Sequence, residues 1–509
     1  MLPEKAVSPP LGLITIAAMC PPSWQIRLLD RAFQELRDED VLWADLVMVS
    51  AMHAQTADTV SVLARARKLG RRTFIGGPWA SSEPELLAQH SDHVLAGEAE
   101  EVFAQIATEL EEGTAQRLYR VLEKPDMTLS PVPRFDLLQL KKYTSMPIQF
   151  SRGCPFQCEF CDIITIYGRR PRAKTPRQVI TELDTLHALG WRGEVFIVDD
   201  NFIGNQQQAL ALCKELAVWQ ERTGRVICFN TEASINLADK PELLSAMVAA
   251  NFMYVFIGIE TPSAEALKGS MKFQNLRGNI ADQVKVIRES GLWVLAGFIV
   301  GFDSDDETIF QRQMDFISLT AIPWAMAGVL QAPPTTALFD RLKREGRLIE
   351  DSQATSNFSP PNFRTNLPLP ILLRGLSSLL TNLYEPKSYF DRCFRSVQSW
   401  HTQPTQQPPK TRAMYDLRVT IASMWSQGLC SSYRLEYWRF LLQIFRNWSR
   451  EPAKLWLGFT VLLTAHHFIN YAQVVAGELE AHCRSVGQTE TAAGVEVDAT
   501  DWFGQPEAL

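Results

Sequence analysis

The chain has 509 residues, 46% hydrophobic and 21% charged, which is ordinary globular usage and enough length for two or three domains. A formal charge of -7 and a pI near 5.8 argue against a duplex nucleic acid as the main partner, because phosphate binding needs a concentrated basic footprint. Nine thinly spread cysteines and an N-terminus, MLPEKAVSPPLGLITIAAMCPP, without a cationic region or cleavage site speak against a disulfide framework and place the chain in a reducing, cytoplasmic compartment.

From Pro9 to about Pro133, short apolar runs alternate with helical stretches. Asp45 to Ser50 (DLVMVS) reads as a strand and Thr59 to Leu69 as an amphipathic helix. Arg72 to Ile75 reads as a strand ending at Gly76-Gly77, and His93 to Ala96 as one running into Gly97-Glu98-Ala99-Glu100. Strands alternating with helices imply a parallel sheet, so residues 1–123 form an α/β domain. Lys124 to Leu137 carries three prolines and few periodic apolar positions, which makes 124–142 a linker.

Residues 143–346 repeat the alternation with longer units. Strands are expected at Ile148 to Ser151, Glu194 to Asp199, Val226 to Glu232, Tyr254 to Glu260, Leu292 to Val300 and Met326 to Gln331. Between them lie helical segments such as Thr175 to Leu189, Gln206 to Gly224 and Lys240 to Ala250. Six such units make a partial (β/α)6 barrel, whose functional residues gather at the carboxyl ends of the strands. There the sequence places Asp199-Asp200, Glu232, Glu260, Gly297 and Gly301.

The strongest chemical signal follows the first of these strands. Cys154, Cys158 and Cys161 in SRGCPFQCEFCDI have the spacing CxxxCxxC, and soft thiolates suit an iron-sulfur cluster or zinc. The cysteines nearest in sequence, Cys20 and Cys213, are too distant to complete a local four-thiolate cage, and zinc usually shows paired CxxC or Cys/His knuckles. A cubane held by three thiolates leaves one iron open. The basic run Tyr167 to Lys174 (YGRRPRAK) reads equally as a loop near the cluster or an anionic group, or as a solvated turn.

The cysteine spacing, with Phe160 just before Cys161, resembles the signature of the radical S-adenosylmethionine (SAM) enzymes, in which the open iron of a 4Fe-4S cluster binds the amino and carboxylate groups of SAM. PPLGLITIAAM, the strand ending at Ser50 and the Gly76-Gly77 and Gly97-Glu98 turns resemble the cobalamin-binding domain of the cobalamin-dependent members. The joined pattern SRGCPFQCEFCDI, RRPRAKTPRQVITELD and VDDNFIGN is similar to the hopanoid methylase-like subgroup. The resemblance implies Cys154, Cys158 and Cys161 as the essential cluster ligands, and Phe160, Asp199, Asp200, Glu232, Glu260, Gly297 and Gly301 around SAM. It implies Ser50, Gly76, Gly77, Gly97 and Glu98 around cobalamin. The usual Gly-Gly-Glu after the second barrel strand is replaced by Asp199-Asp200, and the Asp-x-His-x-x-Gly fingerprint that supplies a histidine to cobalt is absent. Relatives carry an opening strand before PPLGL. The doubly wound domain is therefore expected to lack its first strand, either because the start codon lies upstream, the preferred explanation, or because the domain is damaged and its cobalamin binding weakened.

Residues 347–487 read as a mainly helical domain, with helical stretches at Leu383 to Trp400 and Trp438 to Phe468 that are similar to the same subgroup, and residues 488–509 as a flexible tail. Leu455 to Ala465 is apolar but short of the roughly 20 residues a membrane span requires. It is expected to be a buried helix, with peripheral membrane contact through the preceding Arg446, Arg450 and Lys454 as the alternative. The adjacent His466 and His467 face different helix sides and so share no metal.

The function that the resemblance implies is methyl transfer from cobalamin to an unactivated sp3 carbon of an apolar, hopanoid- or other lipid-like substrate, after a deoxyadenosyl radical has removed hydrogen. A flavodoxin- or ferredoxin-type donor would supply the electron. The alternatives are a cobalamin-linked cyclase or oxidoreductase of tetrapyrrole type, without methyl transfer, and a non-catalytic cobalamin or iron-sulfur sensor.

Overall fold

The computed structural model describes residues 6–349, 358–409 and 413–491. In the N-terminal region, β1 (Leu46–Ser50), β2 (Arg72–Gly76), β3 (His93–Ala96) and β4 (Leu118–Arg120) form a parallel sheet in sequential order. Side chains alternate across it, as the strand period of two demands. Phe74 and Leu95 pack on one face with Phe103 and Ile106, while Ile75 and Val94 pack on the other with Leu63, Trp79 and Leu87. Helices on both faces make the layer plan of a doubly wound domain.

The PPLGLITIAAM segment forms a helix, Leu11–Met19. β1 pairs directly with β2 over five residues, and none of its residues is fully buried. It is the edge of the described sheet, and no strand stands between it and β2. The chain between them and the N-terminal helix is moored elsewhere: Tyr143 donates its hydroxyl to Asp30 at 2.8 Å, and its ring meets Phe33 edge-on.

The second region is an open six-stranded parallel sheet in the order β12-β11-β10-β9-β8-β5, built from β5 (Ser145–Ile148), β8 (Glu194–Ile197), β9 (Cys228–Ala233), β10 (Phe252–Glu260), β11 (Trp293–Val300) and β12 (Ala325–Val329). The remaining pair, β6 (Ser151–Arg152) and β7 (Arg172–Ala173), is a short antiparallel hairpin outside this sheet. Each of the five crossovers carries a helix, and the one before β8, Pro176–Ala188, opens with a capping box in which Thr175 and Gln178 satisfy each other's backbone N–H groups and Pro176 takes the first turn. The expected first strand sits three residues early, because the chain leaves the sheet after Ile148 to form the hairpin.

The C-terminal region is helical: Leu369–Leu383, Pro386–Gln398, Ala413–Ser426, Arg434–Trp448 and Pro452–Thr491. The expected Leu383 to Trp400 helix begins at Pro386, where Glu385 accepts a hydrogen bond from Ser388 N–H at 2.7 Å as its cap. The expected Trp438 to Phe468 stretch is split before Pro452. Leu457, Val461, Leu462 and Ala465 are buried, so the apolar segment is core. Among the described residues no helix is long and apolar enough to cross a membrane. Residues 488–491 of the expected tail continue the last helix, and 492–509 lie outside the described residues.

These helices close the amino-terminal end of the barrel. Trp293 donates to Ser396 Oγ and Trp400 to the Gly291 carbonyl, each at 2.8 Å, while Gln406 donates to the carbonyls of Phe252 and Gly291, also at 2.8 Å. Trp324 stacks on Phe468 with ring centroids 5.1 Å apart. Trp400 is fully buried, so Trp400→Ala is expected to cost about 3–5 kcal/mol in denaturant unfolding, chiefly through the cavity, since Gln406 still donates to the Gly291 carbonyl.

Candidate active site

The three cysteines lie on the long connection between β6 and β7, at the carboxyl end of the barrel sheet. Gly153 has φ +92, and a Cβ there would come within 2.9 Å of the Gly168 carbonyl and 3.0 Å of that of Arg170. Only glycine fits this turn. Cys154 N–H then donates to Gly168 O at 3.2 Å, and Cys161 N–H to Cys158 O at 3.2 Å. On the far side, Glu159 receives a bidentate contact from Arg341 at 2.8 and 3.1 Å, and its N–H donates to Ser270 O at 3.0 Å.

Asn201 Nδ2 lies 3.8 Å from Cys154 Sγ, and Gln274 Nε2 lies 3.4 Å from Cys158 Sγ. Burial pushes the Cys154 and Cys161 thiols up, and the neighbouring cysteine charges add to it. Among the described residues no three such side chains converge as the ligands of a single ion. Three thiolates with no histidine or fourth cysteine in the loop are a donor set that would suit an iron-sulfur cluster with one open corner.

The carboxylates at the strand ends divide into two kinds. Asp199 accepts from Phe150 N–H at 2.8 Å and from Ser151 N–H and Oγ at 2.8 and 2.6 Å, so both of its oxygens are committed to the chain entering the cysteine loop. Burial raises it to about 6 despite these bonds. Asp200 keeps one buried oxygen without a partner, and burial, followed by the charges of Asp199 and Glu232, raises it to about 7. Glu232 is likewise raised to about 7, by burial first and then by Glu260. Glu260, at φ +65 where the β10 register shifts, pairs closely with Lys272. Burial opposes the Lys272 ammonium, but Glu260 and then Cys158 outweigh it and raise its pKa.

This arrangement depends on Gly258, where a Cβ would sit 2.5 Å from Glu260 Oε1 and 2.7 Å from Lys272 Nζ. Phe160 meets Phe302 edge-on at 6.1 Å, with Lys272 5.9 Å above its ring. Gly297 and Gly301 stand at the end of β11, Gly297 against the Phe256 ring and Gly301 donating its N–H to Asp305 at 2.9 Å. Lys272 and Gln274 escaped the sequence reading because a lysine and a glutamine in KFQNL carry no mark that separates them from surface residues. The glycine of GIE was the one available signal.

At the carboxyl end of the N-terminal sheet, Ser50, Gly76, Gly77 and Gly97 come together. A Cβ on Gly77 would meet Ser50 Oγ at 2.6 Å, and one on Gly97 would meet the Val121 carbonyl at 2.3 Å. The close approach of Ser50 and Val121 therefore demands glycine at both positions, and the edge presents backbone and one hydroxyl. Glu98 does not join it. Its carboxylate pairs with Arg152 at 2.7 Å and with Arg172 at 2.7 and 3.1 Å, and Glu100 meets Arg152 at 2.7 Å. Arg152 and Arg172 face each other in the β6–β7 register, so one rung of the hairpin ties the N-terminal domain to the cysteine loop. Of the basic run, Arg172 serves this joint and Lys174 pairs with buried Glu182, whereas Arg169 and Arg170 are exposed.

All four side chains of the joint are nearly buried, so Glu98→Ala is expected to cost about 3–5 kcal/mol and to speed proteolysis between 121 and 134. Lys214→Ala, at an exposed pair with Glu242, should change neither. Asp200 titrates in the fold above its usual range, so its contribution to stability is complete below about pH 4 and is lost as pH rises through about 7. In thermal melts of the cofactor-free protein, Asp200→Asn should therefore gain more over the wild type at about pH 8 than at about pH 5.

Residues 148–317 match the Radical SAM superfamily, 5–107 the B12 binding domain, and 336–481 a domain of unknown function, DUF4070. The chain is 41% identical to an uncharacterized methyltransferase of Synechocystis sp., over 94% of this chain and 90% of that protein. It is 36% identical to the hopanoid C-2 methylase of Rhodopseudomonas palustris, over 96% and 93%. Among solved structures, the cobalamin-dependent SAM radical enzyme OxsB, with aqua-cobalamin and SAM bound, has a like fold: TM-score 0.54, 13% identity, 91% of this chain and 75% of that one.

Proposed function

This chain belongs to the cobalamin-dependent radical SAM enzymes and is a methyltransferase of that family, and from that premise we propose that its methyl acceptor is an unactivated sp3 carbon of an apolar, hopanoid- or other lipid-like molecule. The reading of the acceptor rests on the 36% identity with the hopanoid C-2 methylase, which runs through all three regions, including the C-terminal helices. The cyclase reading has less support, because the relatives of higher identity carry methyltransferase names.

Cys154, Cys158 and Cys161 would hold the 4Fe-4S cluster, and Ser50, Gly76, Gly77 and Gly97 would line the corrin. Asp200 and Glu232 offer carboxylates to the SAM ammonium and ribose hydroxyls, with the Glu260–Lys272 pair beside them. When bound, these groups supply one-electron cleavage of SAM and a transferable methyl. The protein supplies orientation and exclusion of water. Asn201 and Gln274 steady two of the sulfurs, Lys272 offsets thiolate charge, and Phe160 with Phe302 walls the loop with apolar rings. A flavodoxin- or ferredoxin-type carrier would deliver the electron, and nine unpaired cysteines suit a reducing, cytoplasmic setting.

Cys154→Ala, Cys158→Ala and Cys161→Ala should each abolish formation of 5'-deoxyadenosine in anoxically purified, iron-reconstituted protein. Gene deletion followed by mass spectrometry of extracted lipids should remove a methylated polycyclic lipid and leave its unmethylated parent. Loss of a methylated pigment with lipids unchanged would contradict the lipid acceptor while leaving the methyltransferase reading intact.

A further inference from the structure

The helix Ala413–Ser426 packs on the long last helix, and Arg434–Trp448 packs on that helix and on Pro386–Gln398, where Phe440 meets Phe390, Trp448 stacks on Phe394 and Arg439 pairs with Asp391. Gln427, just past the first, donates to the Leu462 carbonyl at 3.0 Å, and Ser423 meets the Tyr437 hydroxyl at 3.2 Å, both in the interior. Tyr437, Phe440 and Ile444 bury the inner face of the second. The outer faces are apolar as well. Leu417, Ile421 and Trp425, four residues apart, are 59%, 58% and 65% exposed, and Leu435, Leu442 and Phe445 are 78%, 68% and 49% exposed. Large apolar side chains at helical spacing on a solvent face mark a surface built to be covered.

Charge indicates what covers it. Arg418, Arg434, Arg446 and Arg450 are exposed and form no ion pair among the described residues. Residues 413–454 hold six cations against three anions, within a chain whose net charge is -7. On Arg434–Trp448, at 100° per residue, Leu435 and Leu442 form a ridge with Arg446 on one flank and Arg434 and Phe445 on the other, where the Phe445 ring also meets Phe459 of the last helix edge-on at 5.5 Å. Apolar ridges flanked by long cationic side chains are the composition of helices that lie in a bilayer interface, where arginine stems stay in the apolar layer and the guanidinium groups reach phosphates. We propose that the outer face of these two helices is a docking surface for an anionic lipid bilayer.

A second copy of the chain suits this face poorly. An isologous contact would set Arg434 and Arg446 of each copy against the same residues of the other, with like charges juxtaposed. Docking is peripheral, since none of the described helices can span a membrane. The face lies over the first half of Pro452–Thr491, and Phe468 of that helix already stacks on Trp324, just before β12 begins. The surface therefore sits toward the amino-terminal end of the barrel strands, and docking leaves the cysteine loop at their carboxyl ends facing away from the bilayer. The proposal is independent of which carbon is methylated.

The test uses the full-length, cofactor-loaded protein and needs no substrate. Sedimentation with vesicles of phosphatidylcholine alone should leave the protein in solution, and vesicles containing phosphatidylglycerol should carry it down, less so as salt rises. Leu417→Glu/Trp425→Glu/Leu442→Glu should lower that partitioning by about tenfold or more. Arg434→Gln and Arg446→Gln should lower it about fivefold each, with circular dichroism unchanged. A wild-type protein that stays in solution with anionic vesicles, or variants that sediment as the wild type does, would overturn the proposal. So would a dimer in sedimentation velocity that the same substitutions dissociate, which would assign the face to a second copy.

Discussion

A buried carboxylate sets the position of the thiol loop. After β5 the chain leaves the sheet, and the Phe150 and Ser151 N–H groups lose their place in the ladder. Asp199, at the end of the neighbouring strand, takes both of them together with the Ser151 hydroxyl. An ionised oxygen pair accepting three hydrogen bonds in the interior is strong and directional, and it fixes where the loop begins. Gly153, Cys154 and the hairpin rung of Arg152 and Arg172 follow within a few residues. The cysteine geometry, the joint to the N-terminal domain and the buried acids beside the loop therefore share one anchor.

The joint extends that anchor across the domain boundary. Two arginines on facing positions of a two-residue hairpin reach Glu98 and Glu100, which leave the N-terminal sheet at the edge where Ser50, Gly76, Gly77 and Gly97 also lie. Removing four charges from water is costly, and their mutual pairing repays that cost only in a narrow geometry. Such a joint is a poor source of stability but a good source of register. It fixes the glycine-lined edge of one domain relative to the cysteine loop of the other.

The broad plan was legible in the sequence because it is written in periodicity and spacing. The DLVMVS and RTFI runs, the six alternating βα units and CxxxCxxC each depend on local residue types, and the parallel sheets and the common loop follow from them. What was not legible depends on contacts far apart in the chain. Asp199 and Asp200 look equivalent in VDDN, yet one is consumed by Ser151 and the other is left with a free oxygen. Glu98 looked like a turn residue facing a ligand, and only the distant Arg152 and Arg172 show that it faces the barrel. Lys272 gains its meaning from Glu260 and from the missing side chain at Gly258. The outward apolar faces of the 413–426 and 434–448 helices were hidden because a helical stripe reads the same whether it points inward or outward.

The central claim is that three thiolates hold a cluster with one corner reserved for SAM. Electron-nuclear double resonance on the anoxic, reduced protein, with SAM isotopically labelled in its carboxylate, tests it most directly. The expected cluster signal changes when SAM is added and shows hyperfine coupling to the labelled carboxylate. Bound zinc in place of iron, or a cluster whose spectrum is indifferent to SAM and shows no coupling, would contradict it.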